Sequence, residues 1–425
     1  MKTFIIFWIG QFVSQLGSEM TRFVLLIWAY QQQGTVMSVA LLAVCSYVPS
    51  ILVSMFSGAL VDRWPKKRIV LLADLVAACS TGVALLLYTT GSLRVGHLYI
   101  INAVLGVMGA FQSPASSVLV TQIVPKGQYG RASGLQSLSM SAVEVFSPII
   151  ATAVMAFAGV SAVMMADLIA FAFAFITLLF FLHPKEAKRE VAKERRSFWK
   201  ECREGFAFLR REKGVFGVVR FYALINLFAA TSYYSVLPAM VLSRQGGGEI
   251  VLGMVNSAIG IGGILGGLIA TAMPAPKRRA RLMFIACGIS FLLGDIPMAL
   301  GRSAAIWVVA MVVSNIPIPI MGAQKTVILR TRVPVEMQGR VFALQDAMRL
   351  STMPIGYLLG GFLCDMLLEP FMATQAGMGA LGWLVGTGPG SGMALLFLVT
   401  GLMGAAVSFL HLKNKAVREM DLQLE

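Results

Sequence analysis

The chain has 425 residues, of which 57% are hydrophobic and only 13% charged, with a mean hydropathy of +0.78. Too few polar residues remain to wrap a soluble core of that size, so the composition describes an integral membrane protein. A net charge of +15 would suit a nucleic-acid binder, but the bases are spread through segments between apolar runs at one membrane face rather than along a soluble domain with interleaved aromatics, and there they orient a membrane protein and meet anionic lipid.

Apolar runs long enough to span occur near 4–31, 36–61, 69–90, 97–122, 130–157, 160–182, 216–243, 249–273, 281–300, 305–329, 339–368 and 391–411. The first follows a single Lys2 and has no small-residue cleavage site, which predicts an uncleaved helix rather than a signal peptide. Leu42–Cys45 has the form of a lipidation box but lies inside the second run. The basic residues alternate between the two sides. Lys2, the loop 58–68, Lys126, Arg131, the segment 183–214, Lys277–Arg281, Arg330–Arg340 and the tail residues Lys413, Lys415 and Arg418 fall on one side; Arg94, Arg244 and Arg302 fall on the other. The excess of bases marks the first side as cytoplasmic and puts both termini there.

The densest of these loops is GALVDRWPKKR, Gly58–Arg68, with one acid and four bases. Such charge cannot sit in hydrocarbon, and Pro65 blocks a helix from running through it, so a turn at the membrane face is expected here. The stretch resembles the loop between helices two and three of the major facilitator superfamily, matching it at Gly58, Leu60, Asp62 and Arg63, with Pro65 where that family usually has Gly. The resemblance implies that Asp62 meets a helix end and holds an inner gate shut, with Gly58, Arg63, Arg68, Gly339 and Arg340 as its companions. The alternative is a basic loop that only sets topology.

Residues 183–214 are charge-dense and carry Phe198, Trp199, Phe206, Phe208 and Leu209 among the charges, which predicts an amphipathic linker on the inner membrane surface. The halves on either side repeat. Val124-Pro125, Gly130-Arg131 and Leu135-Gln136 recur 209 positions later as Val333-Pro334, Gly339-Arg340 and Leu344-Gln345, and the same offset carries Gly58 to Gly267, where the bases persist but the acid is lost. Parallel six-helix repeats are the plan of a two-bundle transporter. The expected parts are therefore a bundle at 1–182, the linker 183–214, a bundle at 215–412 and a tail at 413–425. Residues 369–392 are Gly-rich and too broken to span, and are expected to form an outer loop.

The glycine run at 260–267 lies inside an apolar span, and no phosphate-binding loop occurs, so no nucleotide or other cofactor is expected and active transport would have to draw on an ion gradient. Cys45, Cys79, Cys202, Cys287 and Cys364 are scattered and read as small core residues. His97, His183 and His411 lie far apart, and no metal site follows.

Charges within a span cost roughly 2.5–3.5 kcal/mol on insertion scales, so those present should be paired or functional. Glu19 and Arg22 lie three apart in the first helix, Glu144 stands in the fifth, and Asp346 and Arg349 lie three apart in the eleventh. These are the candidates for proton binding or cargo contact, with structural pairing as the alternative. Asp74, Asp167, Arg220 and Lys325 lie nearer helix ends and are expected to snorkel, cap or pair. Gln15, Phe23, Gln112, Gln136, Asn226, Tyr233, Tyr234, Asn315 and Gln324 supply the amides and aromatics suited to a large amphipathic guest.

Gly10–Phe23 (GQFVSQLGSEMTRF), Ala110–Ala115 (AFQSPA), Ser147–Ala151 (SPIIA) and Gly339–Gly356 (GRVFALQDAMRLSTMPIG) together resemble the macrolide-efflux branch of the same superfamily. The resemblance implies an all-α integral membrane protein of twelve transmembrane helices in two pseudo-symmetric six-helix bundles, with a site at midplane between them. It implies a monomeric, non-enzymatic exporter of amphipathic small molecules in the cell membrane, exchanging cargo for protons. The chain departs from proton-coupled drug exporters in having no Arg in helix four, and Ser147-Pro148 stands for their Gly-Pro motif. AFQSPA also resembles lysophospholipid transporters of the superfamily. A non-transporting receptor or scaffold is the alternative from another class.

Overall fold

The computed structural model describes residues 2–181 and 198–422; within these, the side chains of some residues, Asp62 and Arg63 among them, lie outside the description. The described chain is helical throughout, without a strand. Its helices are α1 Lys2–Gln33, α2 Val36–Arg63, α3 Lys66–Thr89, α4 Val95–Ile123, α5 Tyr129–Phe181, α6 Phe198–Arg211, α7 Lys213–Ala229, α8 Leu237–Ser243, α9 Glu249–Ala272, α10 Arg279–Leu300, α11 Ala304–Asn315, α12 Pro317–Arg332, α13 Val335–Phe362, α14 Glu369–Met372, α15 Gln375–Val385, α16 Ser391–His411 and α17 Lys415–Leu422. Every predicted span coincides with one of them or with a consecutive run. Ten helical stretches are long and apolar enough to cross a membrane. One of these is α5, two helical limbs joined across a kink at Gly159, which takes φ 80° and ψ 176°, a conformation open to glycine. Its limbs before and after Gly159 correspond to two predicted spans. Outside the ten is α1, 32 residues long but carrying Gln11, Gln15, Glu19 and Arg22. The helices are thus consistent with the twelve expected.

The turn expected over Gly58–Arg68 is shorter than the charge pattern implied. Helix α2 runs on to Arg63, and Pro65 stands at the N-cap of α3 with φ −59° and ψ 120°. The long lysine stems let their ammonium groups answer helix-end carbonyls. Lys66 Nζ donates to Val61 O at 2.7 Å, and Lys67 Nζ to Leu179 O at 2.9 Å, closing the ends of α2 and α5.

The chain divides into two compact units. The first holds α1 to α5 and the opening turns of α9, residues 249–257; the second holds α6 to α8 and everything from Ala258 onward. In the first unit one apolar cluster gathers Phe4, Phe7, Val61, Val70, Leu119 and Leu178, and another gathers Leu25, Ala29, Leu42, Leu98 and Met164. Ser257 of α9 belongs here, its hydroxyl donating to Val145 O at 2.7 Å. In the second unit Phe221, Phe284, Met283, Ile328 and Val341 form the core. The expected linker helix is present as α6, and it is more than a solvated connector: Leu209 is fully buried in that core, while Phe206, one turn earlier, stays exposed. Residues 183–197 of the predicted linker lie outside the described residues.

The internal repeat has a structural counterpart. Val124 ends α4 in extended conformation with its N–H on Val120 O, and Val333 ends α12 in the same way with its N–H on Leu329 O; both pairs keep the offset of 209. Two expectations need correction. Residues 369–392 are not a plain loop, because the small, apolar stretch Gln375–Val385 closes into α15, with Thr374 capping its N-terminus. The cysteines are not uniformly core residues: Cys287 and Cys364 are buried, Cys45 is half-buried and Cys79 is exposed on α3.

The tail folds back onto the second unit. Val417 and Met420 of α17 are buried against α7, and Asp421, also buried, accepts from Ala280 N at 3.0 Å and Arg281 N at 3.1 Å, capping α10. A carboxylate there meets both the free N–H groups and the positive end of the helix dipole. Asp421→Ala should therefore cost about 0.5–2 kcal/mol locally. Hydrogen–deuterium exchange should be faster over the first turn of α10 and over α17 and unchanged at the start of α3; unchanged exchange at α10 would contradict the cap.

Candidate functional site

In the first unit the polar residues of the spans separate into a buried set and an exposed set. Asp74 is buried in α3 and takes two amides, Gln11 Nε2 at 3.0 Å on one oxygen and Gln112 Nε2 at 2.6 Å on the other. Asp167 is buried in the second limb of α5 and takes two hydroxyls, Ser18 at 3.0 Å and Thr81 at 2.9 Å. A side chain at Gly17 would collide with the Asp167 backbone, 2.9 Å from its Cα, so glycine there lets α1 come close enough for Ser18 to donate. These aspartates do not snorkel; they tie α1 to α3, α4 and α5. The sequence gives little sign of it, because their partners are neutral and 38 to 149 residues distant. Gln112, expected at a cargo cavity, is the partner of Asp74.

The exposed set lies on α1 and the first limb of α5. Gln15 and Arg22 are exposed, Glu19 is half-exposed and ion-paired with Arg22, and Phe23 is half-buried against Met20, Val24 and Ala151. On α5, Gln136 and Glu144 are exposed, two turns apart on one side of the helix. The charge of Glu19 bears directly on Glu144, so α1 and α5 bring both acids and the single base into one neighbourhood. A lipid-facing position would be costly for these groups, and an exposed polar stripe on a span is expected to face an aqueous or cargo-filled space.

The second unit has its own cluster. Lys325 Nζ of α12 stands 4.0 Å over the ring of Tyr222 on α7, within reach of the charges of Asp346 and Arg349 on α13, which pair at 3.9 Å. Asn226 donates to Arg349 O at 3.1 Å and to the Thr352 hydroxyl at 3.0 Å, fixing α7 to α13. Lys325 thus takes part in a charged cluster instead of snorkelling. Tyr233 packs on Phe397 and is half-buried, whereas Tyr234 is exposed beside Tyr357. Asn315 and Gln324 are buried and engaged, Asn315 with Met311 O and the Ser314 hydroxyl, Gln324 accepting from Arg279.

Of the expected gate residues, Gly58, Asp62 and Arg63 lie on the last turns of α2, with the Asp62 and Arg63 side chains outside the described residues. Arg68 is exposed in the first turn of α3. Gly339 and Arg340 lie in the second turn of α13, where Arg340 reaches Met337 Sδ at 3.1 Å.

The model of one family, the Major Facilitator Superfamily, matches residues 7–357. The chain belongs to the major facilitator superfamily. It is 24% identical over 362 residues to macrolide efflux protein A of Streptococcus pyogenes, covering 84% of this chain and 88% of that one. It is 25% identical over 367 residues to the multidrug efflux pump Tap of Mycolicibacterium fortuitum, covering 83% and 87%. Among solved structures, a bacterial homologue of the iron transporter ferroportin in its inward-facing state has the same fold, with a TM-score of 0.72 at 15% identity over 97% of this chain and 99% of that one. The protein is a multi-pass membrane transporter.

Because Asp167 is buried and doubly hydrogen-bonded while Asp346 is exposed, their removal should differ in kind. Asp167→Ala should cost about 1–3 kcal/mol by stranding the Ser18 and Thr81 hydroxyls, and Asp346→Ala about 0–1 kcal/mol. Thermal unfolding of the purified protein in detergent checks this; equal losses would contradict the division into buried and exposed sets.

Proposed function

We propose that this transporter exports amphipathic or hydrophobic small molecules of the drug or macrolide type by alternating access, exchanging them for protons. The observation that carries the reading is the exposed set Glu19, Arg22 and Glu144 on α1 and α5. Two acids and one base give this exposed set a formal charge of −1, and a proton taken up there cancels it, as does a cationic group on the cargo. Gln15, Gln136 and Phe23 lie on the same helices and supply the few polar and aromatic contacts that orient a large apolar guest. The names of two relatives, macrolide efflux protein A and the multidrug efflux pump Tap, support the direction outward. In this reading both termini and the Asp62 loop are cytoplasmic, Gly58, Asp62, Arg63 and Arg68 with Gly339 and Arg340 form the inner gate, and one chain in the cell membrane suffices for transport.

A second reading rests on the cluster in the second unit. Lys325 and Arg349 outnumber Asp346 and give a formal charge of +1, which would suit an anionic headgroup and thus a lysophospholipid flippase. Competition separates the two. Cargo uptake that a macrolide inhibits and lysolipid does not supports export of drugs; the reverse supports lipid.

In cells lacking their own efflux pumps, expression of the protein should lower accumulation of a labelled macrolide. Glu144→Gln should abolish most of that effect by removing the charge a proton would cancel, with Glu19→Gln weaker because Arg22 is then left unpaired. Accumulation in both variants equal to that with the wild-type protein would remove these residues from the proposal.

A further inference from the structure

Three aspartates are buried within the spans among the described residues, and one of them is built differently. In Asp74 and Asp167 each carboxylate oxygen accepts a hydrogen bond, as the amides and hydroxyls described above require. Asp295, in the last turns of α10, is 0% exposed; its Oδ2 accepts from the Thr400 hydroxyl at 3.3 Å, and its Oδ1 is buried without a hydrogen-bond partner. The Thr400 hydroxyl is itself drawn to Leu396 O at 2.9 Å, so it gives Asp295 only part of a bond. An ionised carboxylate with an oxygen stranded in a low-dielectric interior is disfavoured far more than the neutral acid, whose O–H is a donor.

The groups around it are hydroxyls. The Tyr233 phenol acts on the carboxyl, and a Cβ placed on Gly294 would lie 2.6 Å from the Tyr233 oxygen and 3.0 Å from Ser314 Oγ, so both come over the helix beside Asp295. From α16, Gly401 lets the backbone approach to 2.6 Å, measured from its would-be Cβ to Asp295 Cβ. Cys287 lies two turns away on α10 itself and Tyr234 stands beyond Tyr233. Arg244 donates to Met298 O, Ala299 O and Val385 O, and among the described residues no ion pair joins Asp295 to a lysine or arginine. Tyr233 belongs to a π-helical segment, Ala230–Tyr234, between α7 and α8. Such segments often mark functional sites. This one turns Tyr233 toward the buried carboxyl and leaves the next residue, Tyr234, exposed.

We propose that Asp295 is a proton-binding site, a carboxylic acid when loaded, whose loading is linked through Tyr233 to the π-helical segment between α7 and α8. On release the Asp295 O–H bond breaks and its proton passes to the Tyr233 oxygen while the phenol's own proton leaves to solvent, so that Asp295 is left as the carboxylate and Tyr233 stays neutral. Only the assignment of this proton to the transport cycle rests on the reading given under proposed function; the site itself does not.

The test uses the full-length protein in liposomes and infrared difference spectra between acid and alkaline pH. The wild type should show a carboxylic-acid C=O band that is lost in Asp295→Asn, kept in Asp74→Asn and shifted in Tyr233→Phe. A band that persists in Asp295→Asn overturns the site, as does a spectrum that responds to sodium and not to pH. If Asp295→Asn does not fold, Tyr233→Phe decides: an unshifted band in the folded variant overturns the link. Gradient-independent export with the band intact would instead remove the antiport reading and leave the proton site standing. Antiport that persists in Asp295→Asn with unchanged pH dependence would take this proton out of the cycle.

Discussion

Hydrocarbon offers no hydrogen bonds, so every polar group within a span has to be satisfied by the protein or by a water-filled space. That constraint sorts the residues of this transporter. Asp74 and Asp167 are satisfied by amides and hydroxyls from other helices, and in being satisfied they fasten α1 to its neighbours. Lys66, Lys67 and Arg244 are satisfied by helix-end carbonyls. What is not satisfied in this way, Glu19 with Arg22 and Glu144 in one unit and Asp346 in the other, stays exposed or half-exposed, where the spans are expected to face something other than lipid.

The two charge sets differ in sign, and that difference shapes the functional reading. An acid excess on α1 and α5 can hold a proton or a cationic cargo but not both, which is the exchange an antiporter needs. The base excess on α12 and α13 is partly occupied by the Tyr222 ring and by Asp346, so it attracts an anion less strongly than its formal charge implies. The drug-export reading therefore has the stronger physical support, and the efflux names of its relatives agree with it.

Much of the fold was legible in the sequence because hydropathy reports on one thing, the length of chain that tolerates lipid. The spans and the amphipathic character of Phe198–Arg211 follow from it, and the repeat at Val124 and Val333 from identities at one constant offset. The break at Gly159 and the helix Gln375–Val385 were less legible, since each depends on a local backbone choice among small residues. The buried carboxylates were harder still. Asp74 and Asp167 looked like residues near helix ends because their partners are not charged, and Asp295, a lone acid within the span 281–300, was passed over because nothing nearby in the sequence marks its surroundings: Thr400 is 105 residues away and Tyr233 and Ser314 lie on other helices. Charge pairs three residues apart, such as Glu19 with Arg22, are visible in a sequence; contacts made only by packing are not.

The central claim is that cargo moves outward in exchange for protons. The purified protein reconstituted in liposomes loaded with a macrolide and a pH-sensitive dye measures both fluxes at once. Opposed movement is predicted, with cargo efflux driven by an imposed proton gradient and abolished when an ionophore collapses it. Cargo movement at the same rate with and without the gradient, and with no proton flux, would contradict it.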